Sequence, residues 1–289
     1  MFASFFTPER MSLLHRLVDL ALEEDGPDLT SEAVFPPSSI LHASILAKDD
    51  AIVVGLPLIA IVLARMGVLD ASSVTLLAKD GESVTRGREV ARIVGPAPAL
   101  LKAERVIMNF ICRLSGVANA TRRFVEAVDG TGVRVLDTRK TTPGHRYLEK
   151  YAVRMGGGHN HRANLEEMLM LKDNHIDQAG SITVAVAALR GVYAPCPPLE
   201  IECRTVDHVR EAVGLKPERI MLDNMPPTLA AQALALIPAS IETEISGNVT
   251  LGTIRALAEL GPTFISTGAI THSAVVADFS MRLTQPEEQ

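Results

Sequence analysis

From Gly132 onward the chain alternates short apolar runs with amphipathic stretches, and this rhythm restricts its fold more than any other feature. The apolar runs cover residues 133–137, 168–172, 199–203, 219–222, 241–245 and 263–266, and helical spacing appears between them, for example at 206–213 and 251–260. Strands that alternate with helices pair in parallel, because parallel neighbours need a long crossover and a helix supplies it. Six such units in succession favour an α/β barrel over an open sheet. The residues at the end of each run point the same way. They are Asp137-Thr138-Arg139-Lys140, Lys172-Asp173-Asn174-His175, Glu200 and Glu202, Asp223-Asn224, Glu244 with Ser246-Gly247-Asn248, and Ser266-Thr267-Gly268. A barrel gathers the loops at the carboxyl ends of its strands into one mouth. One polar strand end is an ordinary solvated loop; six of them describe a site.

The upstream half has a different pattern. Residues 8–24 place Met11, Leu13, Leu14, Leu17, Val18, Leu20, Ala21 and Leu22 at helical spacing with one buried face, and Gly26 and Pro27 then break the helix. Between residues 41 and 95 the runs become short and β-branched, with Asp80-Gly81 and Arg86-Gly87 as turns and a helix at 58–66 between them. This half reads as an α+β layer on an antiparallel sheet. Pro96-Ala97-Pro98 closes it, and residues 100–128 read as one or two helices with a bend at Gly116.

The charge is unevenly distributed. Between Leu136 and Ile176 lie Arg139, Lys140, His145, Arg146, Lys150, Arg154, His159, His161, Arg162, Lys172 and His175, in a chain whose net charge is -6. A cationic cluster inside an acidic protein indicates a pocket for small anions, whereas nucleic-acid binding usually shifts the charge of the whole domain. The substrate is therefore expected to be small and multiply charged, with no nucleic acid and no membrane as partner. Three cysteines without a CxxC pair argue against a disulfide framework or a structural zinc site. The N-terminus lacks a basic region ahead of an apolar run, and the apolar stretch 51–63 is too short to span a bilayer, so the expected location is the cytoplasm.

The segments DTRKTTPG, KYAV, GGGHNHR, LKDNHI, IMLDNM, SGNVTL and STGAITHS, with EEDGPDLTS and AERVIMNFICRLSGVA upstream, resemble the quinolinate phosphoribosyltransferase family, also called nicotinate-nucleotide pyrophosphorylase (carboxylating). The likeness runs in order from about residue 21 to residue 280. It implies an N-terminal α/β sandwich domain (1–114), a C-terminal α/β barrel (115–271) of the type II phosphoribosyltransferase kind, and a helix over about 272–289 packed on the first domain. It also implies a homodimer with shared active sites and a magnesium-dependent reaction on the route to NAD. In that reaction quinolinate and phosphoribosyl pyrophosphate give nicotinate mononucleotide, pyrophosphate and carbon dioxide.

Placed on this chain, the family pattern puts Arg139, His161 and Arg162 around the quinolinate dianion, with Arg105 supplied by the neighbouring subunit. Guanidinium groups suit that task because they bind carboxylates in a planar, bidentate way. Lys140 and Lys172 are the point charges expected for the phosphates and a ring carboxylate. The turns Ser246-Gly247-Asn248 and Ser266-Thr267-Gly268 are expected to cradle phosphate through exposed backbone N–H groups. Glu202 and Asp223 match the family positions that face the ribose and its magnesium. Glu200 shares a strand face with Glu202, and spacing does not choose between them. His145 and Cys203-Arg204 depart from the family pattern, and Arg204 is expected to point to solvent. Two other readings compete: a lyase using Lys172 as a Schiff base, and a transport-associated paralogue of the kind found beside molybdate transporters.

Overall fold

The computed structural model describes residues 1–36 and 38–284. Its strands, in chain order, are β1 (Ile40–Ala47), β2 (Ala51–Ile52), β3 (Val74–Leu76), β4 (Ser83–Val84), β5 (Glu89–Pro96), β6 (Arg134–Leu136), β7 (Leu169–Leu171), β8 (Leu199–Cys203), β9 (Arg219–Asp223), β10 (Glu242–Ser246), β11 (Phe264–Ser266) and β12 (Phe279–Thr284). The chain divides into two compact units, one holding residues 1–120, 142–157 and the segment from Ala274 onward, the other residues 121–141 and 158–273.

After a short helix at Phe2–Phe5, the first unit has the helix Pro8–Glu24. Thr7 caps it by accepting the Arg10 N–H, Pro8 sits in the first turn, and Leu14, Val18 and Leu22 recur every four residues as its buried stripe. The sheet runs in the order β12-β1-β5-β3 and is antiparallel throughout. In β1, Leu41, Ala43, Ile45 and Ala47 alternate inward, as one covered face of a sheet requires. Burying each of the larger aliphatics contributes about 1.5–3 kcal/mol. A short ribbon of β2 with β4 completes the unit's sheet structure among the described residues.

One expectation needs correcting here. The segment after residue 272, expected as a helix, contains β12, which pairs with β1 from His42↔Thr284 to Ala47↔Phe279. Phe279, Met281 and Leu283 alternate with polar residues at a period of two, which suits an edge strand. Of the one or two helices expected across Gly116, the structure has one, Ala97–Ala127. Gly116 serves close packing instead: a Cβ there would come within 2.2 Å of the Val275 carbonyl oxygen.

The second unit is a six-stranded parallel sheet in the order β6-β11-β10-β9-β8-β7. This is the sequential order of a singly wound α/β barrel. Among the described residues no pairing joins β6 to β7, so the seam between them carries no hydrogen-bonded ladder. All five residues of β8 are buried, as expected for a strand covered on both faces. Alternation then puts Glu200 and Glu202 on one face of β8, with Met221 and Asp223 on the matching face of β9 and Glu244 and Ser246 on that of β10. Carboxylates thus occupy positions that branched apolar residues fill in most barrels.

Cys203 takes the opposite face of β8, and burial pushes its thiol up to about 12. A thiol held in that state gives almost no thiolate at pH 8. Alkylation of the native protein at pH 8 is therefore expected to spare Cys203 and to reach it only in denaturant; rapid native labelling of all three cysteines would contradict its burial. Among the described residues no helix is long and apolar enough to cross a membrane.

Candidate active site

A cavity of about 490 Å³ opens at the carboxyl ends of the parallel strands. Its wall includes Arg139, Lys140, His161, Arg162, Lys172, Glu202, Asp223, Ser246 and Ser266, all of which the sequence marked out. The strand order arranges them around the rim. From β6 come Arg139 and Lys140, from β11 Ser266, from β10 Ser246, from β9 Asp223, from β8 Glu202 and from β7 Lys172. The two acids therefore lie between the serine turns and Lys172. Lys172 Nζ is 3.6 Å from Glu202 Oε2, and burial together with Asp223 pushes the Glu202 carboxyl upward while Lys172 pulls it down.

The cationic side is held in place from beneath. Asp137, fully buried at the end of β6, accepts the His161 N–H at 2.8 Å and the Asn160 side-chain amide at 2.7 Å. Arg162 donates to the Met168 carbonyl at 2.8 Å, and its N–H donates to His161 Nδ1 at 2.7 Å. Burial and the nearby charge of Arg139 both lower the pKa of the Arg162 guanidinium. Two like charges that act on each other across the cavity wall form a receptor for a dianion whose cost of assembly is met during folding.

Beneath the mouth lies a second layer that the sequence did not disclose. Glu200 and Glu244 are fully buried, and His161 Nε2 lies 3.0 Å from Glu200 Oε2 and 3.6 Å from Glu244 Oε2. Arg219 donates to Glu244 at 3.1 Å and to Glu242 at 2.9 Å, with its guanidinium 4.1 Å from the Phe264 ring centre. Burial pushes both Glu200 and Glu244 up to about 7, with mutual repulsion adding to the effect on Glu244. Arg219 bonds Glu244, and its charge also draws the Glu200 carboxyl down against the larger effect of burial. His161, Glu200 and Glu244 have ligand-type atoms within 4.8 Å of one another, but Arg219 already supplies the cation there.

The serine turns depend on backbone geometry. Gly247 has φ +96°, and a Cβ on it would meet Asn224 Oδ1 at 2.2 Å. Asn224 in turn accepts from Asn248 at 3.0 Å and donates to Asp223 at 2.8 Å, which links the β9 and β10 ends of the rim. Thr271 donates to the Lys140 carbonyl at 2.8 Å and so anchors the β6 end.

Not every expected residue reaches the cavity. Gly247, Asn248 and Gly268 belong to the rim turns but are not part of its wall, and Arg105 lies exposed on the long helix of the other unit. Conversely, Met170 and Met221 line the cavity although sequence reasoning did not mark them, and Thr138, Asn224 and Glu244, marked only as strand-end residues, line it too. The signal for the methionines was available: Met170 precedes Lys172, and Met221 precedes Asp223, by the two residues that return a strand to the same face. Arg204 is exposed, as expected, and at the surface it pairs with Asp177 at 2.5 Å.

Comparison with known proteins gives a consistent family. Residues 117–282 match the model for the quinolinate phosphoribosyl transferase C-terminal domain, and residues 28–115 match that for its N-terminal domain. A probable nicotinate-nucleotide pyrophosphorylase [carboxylating] of Bacillus subtilis is 42% identical over 269 residues, covering 92% of each chain. The chloroplastic nicotinate-nucleotide pyrophosphorylase of Arabidopsis thaliana is 38% identical over 93% of this chain and 82% of its own. The crystal structure of NadC from Streptococcus pyogenes superposes with a TM-score of 0.88 at 38% identity, over 97% of this chain and 99% of that one.

Proposed function

The chain belongs to the quinolinate phosphoribosyltransferase family, and from that premise we propose how its cavity carries out the family's reaction, the decarboxylating transfer of a phosphoribosyl group to quinolinate that yields nicotinate mononucleotide on the way to NAD. The observation that carries this reading is the order of charges around the rim: cations at both ends, with two carboxylates between them.

Arg139 and Arg162 receive the adjacent ring carboxylates of quinolinate, with Arg105 of a second copy completing the set in a homodimer. Met170 and Met221 provide apolar surface for the pyridine ring. The 5′-phosphate of phosphoribosyl pyrophosphate lies against the Ser246-Gly247-Asn248 and Ser266-Thr267-Gly268 turns, and Lys140 and Lys172 meet the pyrophosphate. Glu202 and Asp223 then face the ribose between them. As pyrophosphate leaves, positive charge develops on the sugar, and these two carboxylates stabilise it while the ring nitrogen bonds to the anomeric carbon.

The ring nitrogen is now cationic. The carboxylate on the carbon beside it departs as carbon dioxide, the electron pair left behind is stabilised by that charge, and the carbon takes up a proton. No general base is required. Glu202 and Asp223 also suit magnesium, because they are hard oxygen donors at neighbouring strand ends whose mutual repulsion a divalent cation relieves. When bound, magnesium supplies charge neutralisation at the pyrophosphate.

The Schiff-base alternative is disfavoured by the position of Lys172, which is about half exposed and paired with Glu202 at 3.6 Å rather than enclosed in an apolar pocket. A product assay tests the main reading. Purified protein with phosphoribosyl pyrophosphate and magnesium is expected to convert quinolinate with release of carbon dioxide, and preferential conversion of nicotinate would overturn the substrate assignment. For the phosphate turns, Gly247→Ala is expected to raise the KM for phosphoribosyl pyrophosphate about tenfold, because the side chain forces apart the Asn224 link and strains a left-handed residue. An unchanged KM for that substrate would remove the turn from the site.

A further inference from the structure

We propose that Glu244 is a further substrate-binding residue of this cavity: as the neutral acid it donates a hydrogen bond to the quinolinate dianion beside His161. This rests on the reading that the cavity receives quinolinate, and it adds to the arginines a donor that carries no charge.

Glu244 forms part of the cavity wall although it is fully buried. On β10 it lies two residues before Ser246, so both point to the same face, Ser246 at the rim and Glu244 deeper. His161 belongs to the same wall, and its Nε2 lies 3.6 Å from Glu244 Oε2. A ligand carboxylate that takes a hydrogen bond from His161 therefore arrives next to Glu244. An ionised carboxylate there would oppose the dianion, whereas a carboxylic acid supplies a donor.

The surroundings of Glu244 favour the acid. Arg219 of β9 donates to its Oε2 at 3.1 Å, the His161 ring and the Ser266 hydroxyl of β11 act on it, and Glu200 of β8 brings a second fully buried carboxyl. Arg219 is shared with Glu242, so this one guanidinium does not balance every acid around it. Burial and Glu200 push the Glu244 carboxyl up to about 7 against the pull of His161, Ser266 and Arg219. Because Arg219 engages Oε2, the proton belongs on Oε1, which makes no hydrogen bond among the described residues. The dianion gives that O–H a charged acceptor. The acid form predominates below about pH 7, and as pH rises through that value Glu244 ionises and quinolinate binding weakens.

Two measurements test this. With phosphoribosyl pyrophosphate saturating, the wild-type KM for quinolinate is expected to rise about tenfold from pH 6 to pH 8, as the share of protein carrying the proton falls to about a tenth. Glu244→Gln donates through its amide at every pH, so its KM is expected to lie about threefold above that of the wild type at pH 6 and below it at pH 8. A KM above the wild-type value at both, or one that rises with pH as steeply as the wild type's, would overturn the proposal; the second result would assign the titration to His161. Difference infrared spectra at pH 6 read the bond without turnover. Quinolinate is expected to shift a protonated-carboxyl C=O band that moves with ¹³C-glutamate labelling and is missing from Glu244→Gln. Binding of quinolinate without that shift would leave the proton with Glu200 and overturn the proposal. If quinolinate is neither bound nor turned over by the wild-type protein, the functional reading fails first and takes this inference with it.

Discussion

Replacing Arg162 by alanine is expected to raise the KM for quinolinate by about a hundredfold, the loss of roughly 2.7 kcal/mol of charge-assisted binding. The KM for phosphoribosyl pyrophosphate is expected to change by no more than about twofold, because the assigned phosphate groups lie at the lysines and the serine turns. The asymmetry follows from position. Arg162 is half-buried beside Arg139, and burial and that neighbour both disfavour its charge in the empty cavity. A dianion relieves both penalties when it binds, so more of the binding energy passes through this side chain than an exposed arginine would supply. The same reasoning gives a second readout. Removing Arg162 relieves a repulsion in the free protein, so thermal stability without ligand is expected to hold or rise slightly. Steady-state kinetics with each substrate varied in turn check the first outcome, and a melting curve checks the second. Unchanged kinetics would remove Arg162 from the pocket.

The largest expected effect on stability comes from a residue outside the cavity wall. Gly116→Ala puts a methyl group 2.2 Å from the Val275 carbonyl oxygen, 2.8 Å from the Val276 Cα and 3.0 Å from the Val275 carbonyl carbon. These are main-chain atoms, so rotating a side chain cannot relieve the clash. Either the helix or the strand-leading segment must move. Alanine normally stabilises a helix relative to glycine by about 1 kcal/mol, and here the overpacking cost outweighs that gain. The net loss is expected to be about 3 kcal/mol, or about 6–12 °C in Tm. A melting temperature at or above that of the parent would show that the close approach is absent.

Gly116 also shows where the sequence is ambiguous. A glycine inside a helical pattern reads as a weak point or a bend, whereas close packing against another main chain leaves the same letter with no local signal. The parallel strands were easier to read. Runs such as Leu199–Cys203 and Arg219–Asp223 are short, bounded by turns and helices, and carry three apolar residues in five, which marks them as strands in spite of their charged positions. The rim of the cavity was legible for the same reason, because polar residues at strand ends stand out against that background. Glu200 and Glu244 were not, since each was taken as part of a strand end. Their burial arises from the barrel interior and appears only when Arg219 and His161 are placed against them. An acid two residues inside an apolar strand was the available clue. Strand β12 escaped because its six residues depend on β1, more than two hundred residues earlier, for their hydrogen bonds.

The central claim is that one cavity presents guanidinium groups to a pyridine dicarboxylate and acids to the sugar. The most direct measurement is a crystal structure with quinolinate bound in the absence of the second substrate. The expected density places its two carboxylates about 2.7–2.9 Å from the guanidinium nitrogens of Arg139 and Arg162. Density for the ligand outside this cavity, or with its carboxylates turned toward Glu202 and Asp223, would contradict the account.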